Sequence, residues 1–267
     1  MEGLNPFHRF LHRRMFFLLL TGACTHAPDH PHIQPAQISA PDTVAISVPD
    51  TVADISSDTS SHHLPEGFAY VRDSIPGIAE DIRYCSENNF IGDTIDGYMA
   101  PRAILTNEAI HALKAVQTEL NGNGYGLKIF DAYRPQRAAD HFVRWSKDMQ
   151  DQRMKAAYYP DIQKISLFRK GYIADSSGHT RGSAIDLTLI YQDGAHAGEE
   201  TDMGCSFDHF GPIAGNSAVI TSRQKEHRQL LKETMEKHGF IAYRGEWWHF
   251  LLKNEPHPNT YFDFSVE

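Results

Sequence analysis

Four residues in two short segments carry side chains of the types that can bind a metal ion or work beside one. His179 and Asp186 lie in Ser177-Gly178-His179-Thr180-Arg181-Gly182-Ser183-Ala184-Ile185-Asp186, and Glu246 and His249 lie in Gly245-Glu246-Trp247-Trp248-His249-Phe250. Zinc takes imidazole nitrogens and carboxylate oxygens at about 2 Å, so its ligands must converge on one point. A seven-residue step covers about 10.5 Å on a helix and about 23 Å on a strand, so neither regular element lets His179 and Asp186 share an ion easily. The chain has to fold back between them. Gly178 and Gly182 are expected to supply that freedom, because glycine accepts backbone angles other residues resist. In the second segment, three steps along a flat strand put Glu246 and His249 on opposite faces, so a turn or bulge is required if both serve one site. With His249 as third ligand, two nitrogens and one carboxylate oxygen leave a fourth tetrahedral position open, as in catalytic rather than structural zinc. Glu246 is then the candidate base, an unligated carboxylate able to take a proton from a water that the ion acidifies.

Spacing alone leaves a second reading open. The chain has 16 histidines, so a His-x6-Asp pair arises by chance, and Trp-Trp-His can be a corner of the core.

The elements that would position these residues are legible in outline. Ala109, Leu113, Val116 and Leu120 recur at helical spacing over residues 105–120, with Thr106 as the expected cap and Asn121-Gly122-Asn123-Gly124 as the stop. Residues 126–133 alternate as a strand, with Leu127, Ile129 and Asp131 set against Lys128, Phe130 and Ala132. After Pro135, residues 136–150 return to helical spacing. A further helix spans 223–238, with Leu230, Leu231 and Met235 inward and Gly239 as its stop. Ile185, Leu187 and Leu189 predict a buried strand starting at the metal, and residues 248–252 predict another. Helices and strands mix without regular βαβ punctuation, which predicts an α+β fold with a small, mainly antiparallel sheet flanked by helices.

Composition narrows the function classes. Among 267 residues, 41% are hydrophobic and 22% charged, so a packed core is expected. Lys and Arg total 25 against 34 Asp and Glu, a net charge of -9, and no basic stripe occurs beyond the first fourteen residues. Nucleic acid is therefore not an expected partner. The three cysteines, at 24, 85 and 205, form no C-x-x-C, which excludes a Cys-rich zinc site and a disulfide scaffold. Whether Cys85 and Cys205 pair depends on their separation in the fold.

The first 63 residues read as address and tether. Arg9, Arg13 and Arg14 precede a short apolar run over 15–23, the layout of an export signal and far too short to span a bilayer. Cys24 after Thr21-Gly22-Ala23 looks like a bacterial lipoprotein processing site. The branched residue usual three places before the cysteine is replaced by Thr21, so plain secretion and a cytoplasmic chain with an apolar start stay open. Residues 25–63 are rich in Pro, Ser, Asp and Thr and contain the near-repeat Pro41-Asp42-Thr43-Val44-Ala45 and Pro49-Asp50-Thr51-Val52-Ala53. Such a stretch buries too little apolar surface to offset chain entropy, so a disordered linker is expected. The expected division is 1–24 signal, 25–63 linker, 64–267 folded domain. Any membrane contact would come through the lipid anchor alone.

Ser-x-His-x-x-Gly-x-Ala-x-Asp followed by Glu-x-x-His resembles the zinc signature of the D-alanyl-D-alanine dipeptidases (VanX-like) and related D,D-carboxypeptidases. Further segments resemble the same family in order along the chain: Asp81-Ile82-Arg83-Tyr84, Asn88-Asn89-Phe90-x-Gly92, Asp96-Gly97-Tyr98, Asp131-Ala132-Tyr133-Arg134-Pro135, Lys170-Gly171-Tyr172 and Pro258-Asn259-x-Tyr261-Phe262-Asp263-Phe264. The resemblance implies a zinc D,D-peptidase (hedgehog-like) fold and one Zn2+ per chain on His179, Asp186 and His249. It implies Glu246 as general base and Arg134 as the cation that polarises the scissile carbonyl. Tyr84, Ser177 and Asp208 match positions lining the dipeptide pocket, Asp208 toward the substrate ammonium and Ser177 toward its carboxylate. The implied activity is hydrolysis of D-alanyl-D-alanine in the cell envelope. Two alternatives remain, a D,D-carboxypeptidase acting on peptidoglycan stem peptides and a non-catalytic envelope protein that binds wall peptides. The family's cytoplasmic members lack an export segment, so the first 63 residues depart from its pattern.

Overall fold

The computed structural model describes residues 64–174 and 176–267. The export segment, Cys24, the linker with its near-repeat, and the histidines at 62 and 63 lie outside the described residues. In order, the elements are β1 (Phe68–Tyr70), α1 (Val71–Ser74), β2 (Ala79–Glu80), β3 (Ile104–Thr106), α2 (Asn107–Asn121), β4 (Tyr125–Asp131), α3 (Gln136–Lys147), α4 (Lys155–Tyr158), α5 (Ser166–Arg169), β5 (Ala184–Tyr191), α6 (Ser222–Lys237), β6 (Phe240–Ala242) and β7 (His249–Leu252).

The fold is α+β. A five-stranded sheet runs β2-β4-β5-β7-β6, antiparallel except where β2 joins β4, and β1 pairs with β3 in a separate antiparallel ribbon. β5 is central and buried along Ala184–Ile190 on both faces, with Asp186 and Thr188 buried like the alternating Ile185, Leu187 and Leu189. α2 turns Ala109, Leu113, Val116 and Leu120 inward, packing on β4 and on α6. The three larger ones, Leu113, Val116 and Leu120, each contribute about 1.5–3 kcal/mol relative to exposure.

Several local expectations need correction. Thr106 stands at the α2 N-cap, but its hydroxyl makes no capping bond. It meets the Ser183 hydroxyl at 2.8 Å instead, because a tertiary partner lies within reach. β4 ends at Asp131, with an irregular register between Ile129 and Asp131 that breaks the expected alternation. Phe130, set against Leu127 and Ile129 in that alternation, is as fully buried as they are and stacks on Phe207 at 4.7 Å between centroids. α3 stops at Lys147, three residues early, and the buried Lys164 ammonium donates to the carbonyls of Asp148 and Asp151 beyond its end. In α6, Leu231 and Met235 are buried while Leu230 is half-buried, and Gly239 ends the helix with φ 92°. Its start is a capping box: Thr221 Oγ1 accepts from the Gln224 amide, and Gln224 Oε1 accepts from the Thr221 amide. Cys85 and Cys205 are both free thiols.

Among the described residues, no helix is long and apolar enough to cross a membrane.

Candidate active site

Sheet register assembles the site. Asp131 on β4 lies opposite Asp186 on β5, and Asp186 lies opposite His249 on β7. Directly paired residues on neighbouring strands project to the same face about 4.5–5.5 Å apart, so one rung of the sheet delivers three polar side chains together. His179 joins them from a 3-10 turn, His179–Arg181, that folds back onto β5. Gly182 makes that reversal with φ 81°, as expected for glycine. Gly178 does not: its φ of -56° suits any residue, and its smallness is what counts, since a Cβ there would stand 3.3 Å from Ala184 and Leu251 side chains.

His179 Nε2 stands 3.0 Å from His249 Nδ1 and 3.3 Å from Asp186 Oδ2, and His249 Nδ1 stands 2.9 Å from Asp186 Oδ1. Donors held about 2 Å from one tetrahedral ion lie about 3.3 Å from each other, so the spacing fits a single cation. The tautomer fits too. His179 Nδ1 donates to the Ala132 carbonyl at 2.7 Å, which leaves the Nε2 lone pair facing the other two groups. Burial would raise the Asp186 carboxyl, but the imidazoles of His179 and His249 outweigh it and hold it far below the usual range. Burial also favours a neutral His249, yet the Asp186 carboxylate raises its pKa, so positive charge is favoured at this point. His179, Asp186 and His249 therefore form a group able to hold a metal ion.

Glu246 reaches the same place from the turn between β6 and β7. The turn closes through the Tyr243 amide on the His249 carbonyl at 3.0 Å, and the buried indoles of Trp247 and Trp248 anchor it. This is the turn that the spacing of Glu246 and His249 required. Enclosed by protein at the pocket wall, the Glu246 carboxyl is pushed up by burial to about 7, with Asp186 adding to the rise and His249 and Arg134 opposing it.

Arg134 follows β4 in the Tyr-Arg-Pro turn. Its Nε donates to Asp131 Oδ2 at 3.0 Å, its Nη2 reaches the same oxygen at 2.8 Å, and Nη2 lies 3.7 Å from Asp186 Oδ2. It is a buried ion pair beside the metal group, not a surface one. Tyr84 and Phe142 rings flank its guanidinium at 5.1 and 5.0 Å.

Tyr84, beside Arg134, also reaches Asp208: the Tyr84 hydroxyl donates to Asp208 Oδ2 at 2.9 Å. Burial, then the charge of Asp186, pushes the Asp208 carboxyl well above its usual range despite Arg134 and Tyr84. Among the described residues, Asp208 is also the one non-glycine residue in the left-handed region, with φ 60°. Strain of about 1–3 kcal/mol persists there because the surroundings hold the side chain in the pocket. Ser177 Oγ accepts the His179 amide at 3.2 Å, and Ser177 lines the same cavity. All eight site residues named from the sequence line one cavity of about 240 Å3, together with Tyr172, Phe210, Tyr243 and Trp248.

A family model described as D-ala-D-ala dipeptidase matches residues 65–267. The chain belongs to the D-ala-D-ala dipeptidase family. It is 42% identical over 200 residues to the D-alanyl-D-alanine dipeptidase of Streptomyces coelicolor, covering 74% of this chain and 98% of that one. The Enterococcus faecalis D-alanyl-D-alanine dipeptidase is 40% identical over 204 residues, 76% of this chain and all of that one. The Escherichia coli D-alanyl-D-alanine dipeptidase is 34% identical over 182 residues, 66% and 80% of the two chains. A solved D,D-pentapeptidase VanY mutant in complex with Zn(II) superposes only loosely, with a TM-score of 0.36 at 14% identity over 59% of this chain and 77% of that one. Family membership rests on the sequence matches.

Within this family member, two supporting residues escaped the sequence reading. Asp131 is fully buried and accepts from Arg134 and, on its other oxygen, from the Tyr98 hydroxyl. Both residues stood inside segments shared with the dipeptidases. A carboxylate ending an apolar strand next to an Arg-Pro turn is the signal that could have singled out Asp131.

Proposed function

We propose that this chain is a zinc-dependent dipeptidase that hydrolyses D-alanyl-D-alanine to two D-alanines. The observation that carries the reading is the convergence of His179, Asp186 and His249 beside an unligated Glu246, inside a cavity of about 240 Å3. That volume lies below the roughly 300–1,000 Å3 typical of drug-sized ligand sites and suits a very small substrate. The names carried by relatives at about 40% identity over their full length agree with it.

The roles follow from where charge must go. Zinc held by His179, Asp186 and His249 would supply a Lewis acid that acidifies water and polarises the peptide carbonyl. Glu246 takes the proton from the attacking water and passes it to the departing amine. Arg134 faces the carbonyl oxygen, where its fixed guanidinium meets negative charge as that charge develops. Asp208, buried with a phenol as its donor, is the carboxyl that can pair with a substrate ammonium, whose positive charge opposes the rise that burial and Asp186 impose on it. Ser177 stands where it can donate to the substrate carboxylate. Longer peptides lack one of the two charged ends at the positions that bind them, which leaves a buried group unpaired.

We place this activity in the cell envelope on the strength of the basic and apolar residues before Cys24, with that cysteine as the lipid attachment point. The test uses one preparation of the protein, assayed for bound zinc and for D-alanine release from D-alanyl-D-alanine and from a pentapeptide ending in the same unit. The dipeptide should be cleaved in a chelator-sensitive way and the pentapeptide far more slowly. Equal rates on both would make the chain a carboxypeptidase, and full zinc with no hydrolysis of either would make it a binding protein.

A further inference from the structure

Tyr98 lies in the loop that precedes β3. It is 2% exposed and is not part of the pocket wall, so it has no direct route to a substrate. Its hydroxyl donates to Asp131 Oδ1 at 2.5 Å, while the other oxygen of Asp131 accepts both Arg134 bonds. A carboxylate held on one oxygen alone can swing about its last torsion. Held on both, it presents Oδ2 to the guanidinium in one orientation only.

The loop bearing Tyr98 is itself pinned. The Val266 amide donates to the Gly97 carbonyl at 2.8 Å, and the Val266 carbonyl accepts from the amides of Met99 and Ala100 at 2.8 and 3.0 Å. Gly97 has φ 90°, and a Cβ there would come within 3.0 Å of Pro135, next to Arg134. The Tyr98 ring packs edge-on to Tyr84 at 5.6 Å, and Tyr84 in turn lies under the Arg134 guanidinium. The phenol is thus tied to the same group from two directions.

We infer that Tyr98 is a positioning residue for Arg134, acting through Asp131 to aim the guanidinium at the reacting carbonyl. The inference rests on the role proposed above for Arg134. Tyr98→Phe keeps the packed ring and removes only the hydroxyl. On the zinc-loaded full chain, kcat for D-alanyl-D-alanine should fall about 10- to 100-fold, the cost of a small misplacement at a reacting centre, with KM within about twofold and zinc content unchanged. The second readout needs no turnover: in proton–nitrogen NMR spectra, the Arg134 Nε–H signal, identified by its absence in Arg134→Lys, should exchange with solvent about tenfold faster in Tyr98→Phe. A kcat near wild type, a loss explained by missing zinc, or an unchanged Nε–H exchange rate overturns the inference. If the wild-type chain cleaves no D,D-peptide, the proposed function fails, and the Nε–H signal alone decides the role of Tyr98.

Discussion

The His179 ring donates from Nδ1 to the Ala132 carbonyl at 2.7 Å, and so offers Nε2 to Asp186 and His249. One backbone carbonyl, two residues before Arg134, thereby sets the tautomer of a candidate metal ligand. The turn that carries Arg134 and the imidazole of this candidate ligand are thus built as one piece.

Removing a ligand should remove the metal. Asp186→Asn and His179→Ala are expected to drop zinc from about one per chain to a small fraction after dialysis, since an open three-ligand site cannot lose a donor and hold its affinity. Elemental analysis of the dialysed variants checks this, and wild-type zinc content in either would remove these residues from the ligand set.

Glu246→Gln should separate metal binding from turnover. The amide keeps the shape but cannot take a proton, so kcat should fall by about 10²–10⁴ while zinc stays bound. Parallel measurement of zinc and of D-alanine release checks it.

Turnover should also depend on pH in a definite direction. Burial raises the Glu246 carboxyl to about 7 before any cation is counted, and a bound dication nearby lowers it. The base must be ionised, so kcat/KM should fall as pH drops through a limb at or below about 7 and level off above it. A profile rising toward acid would contradict Glu246 as the base.

Arg134→Lys should not be a conservative change. Lysine cannot span Asp131 and the pocket with one planar group, so kcat is expected to drop about 10²–10³-fold with less effect on KM. Steady-state kinetics on both parameters tests this.

Gly182→Ala should destabilise the fold. The position has φ 81°, and a Cβ would stand 2.2 Å from the ring of Phe68, which packs edge-on against Tyr133, Phe262 and Phe264. Strain and overpacking together predict a loss of about 2 kcal/mol or more, read by denaturant unfolding.

Residue types and their short-range spacing already determined the helices ending near Asn121 and Gly239 and the buried strand through Ile185 and Leu189, while the proposed ligand set with Glu246 beside it came from resemblance to the dipeptidase signature. These are local patterns, and a period, a glycine stop or a signature motif is written in consecutive residues. The tertiary structure alone decided that Asp131, Asp186 and His249 occupy one rung of the sheet, that Thr106 bonds Ser183 instead of capping its helix, and that Tyr98 reaches Asp131 across the fold. It also decided that Cys85 and Cys205 stay free. Those outcomes depend on strand register and on contacts between residues far apart in the chain, and register is set by the packing of whole elements, which no local pattern encodes.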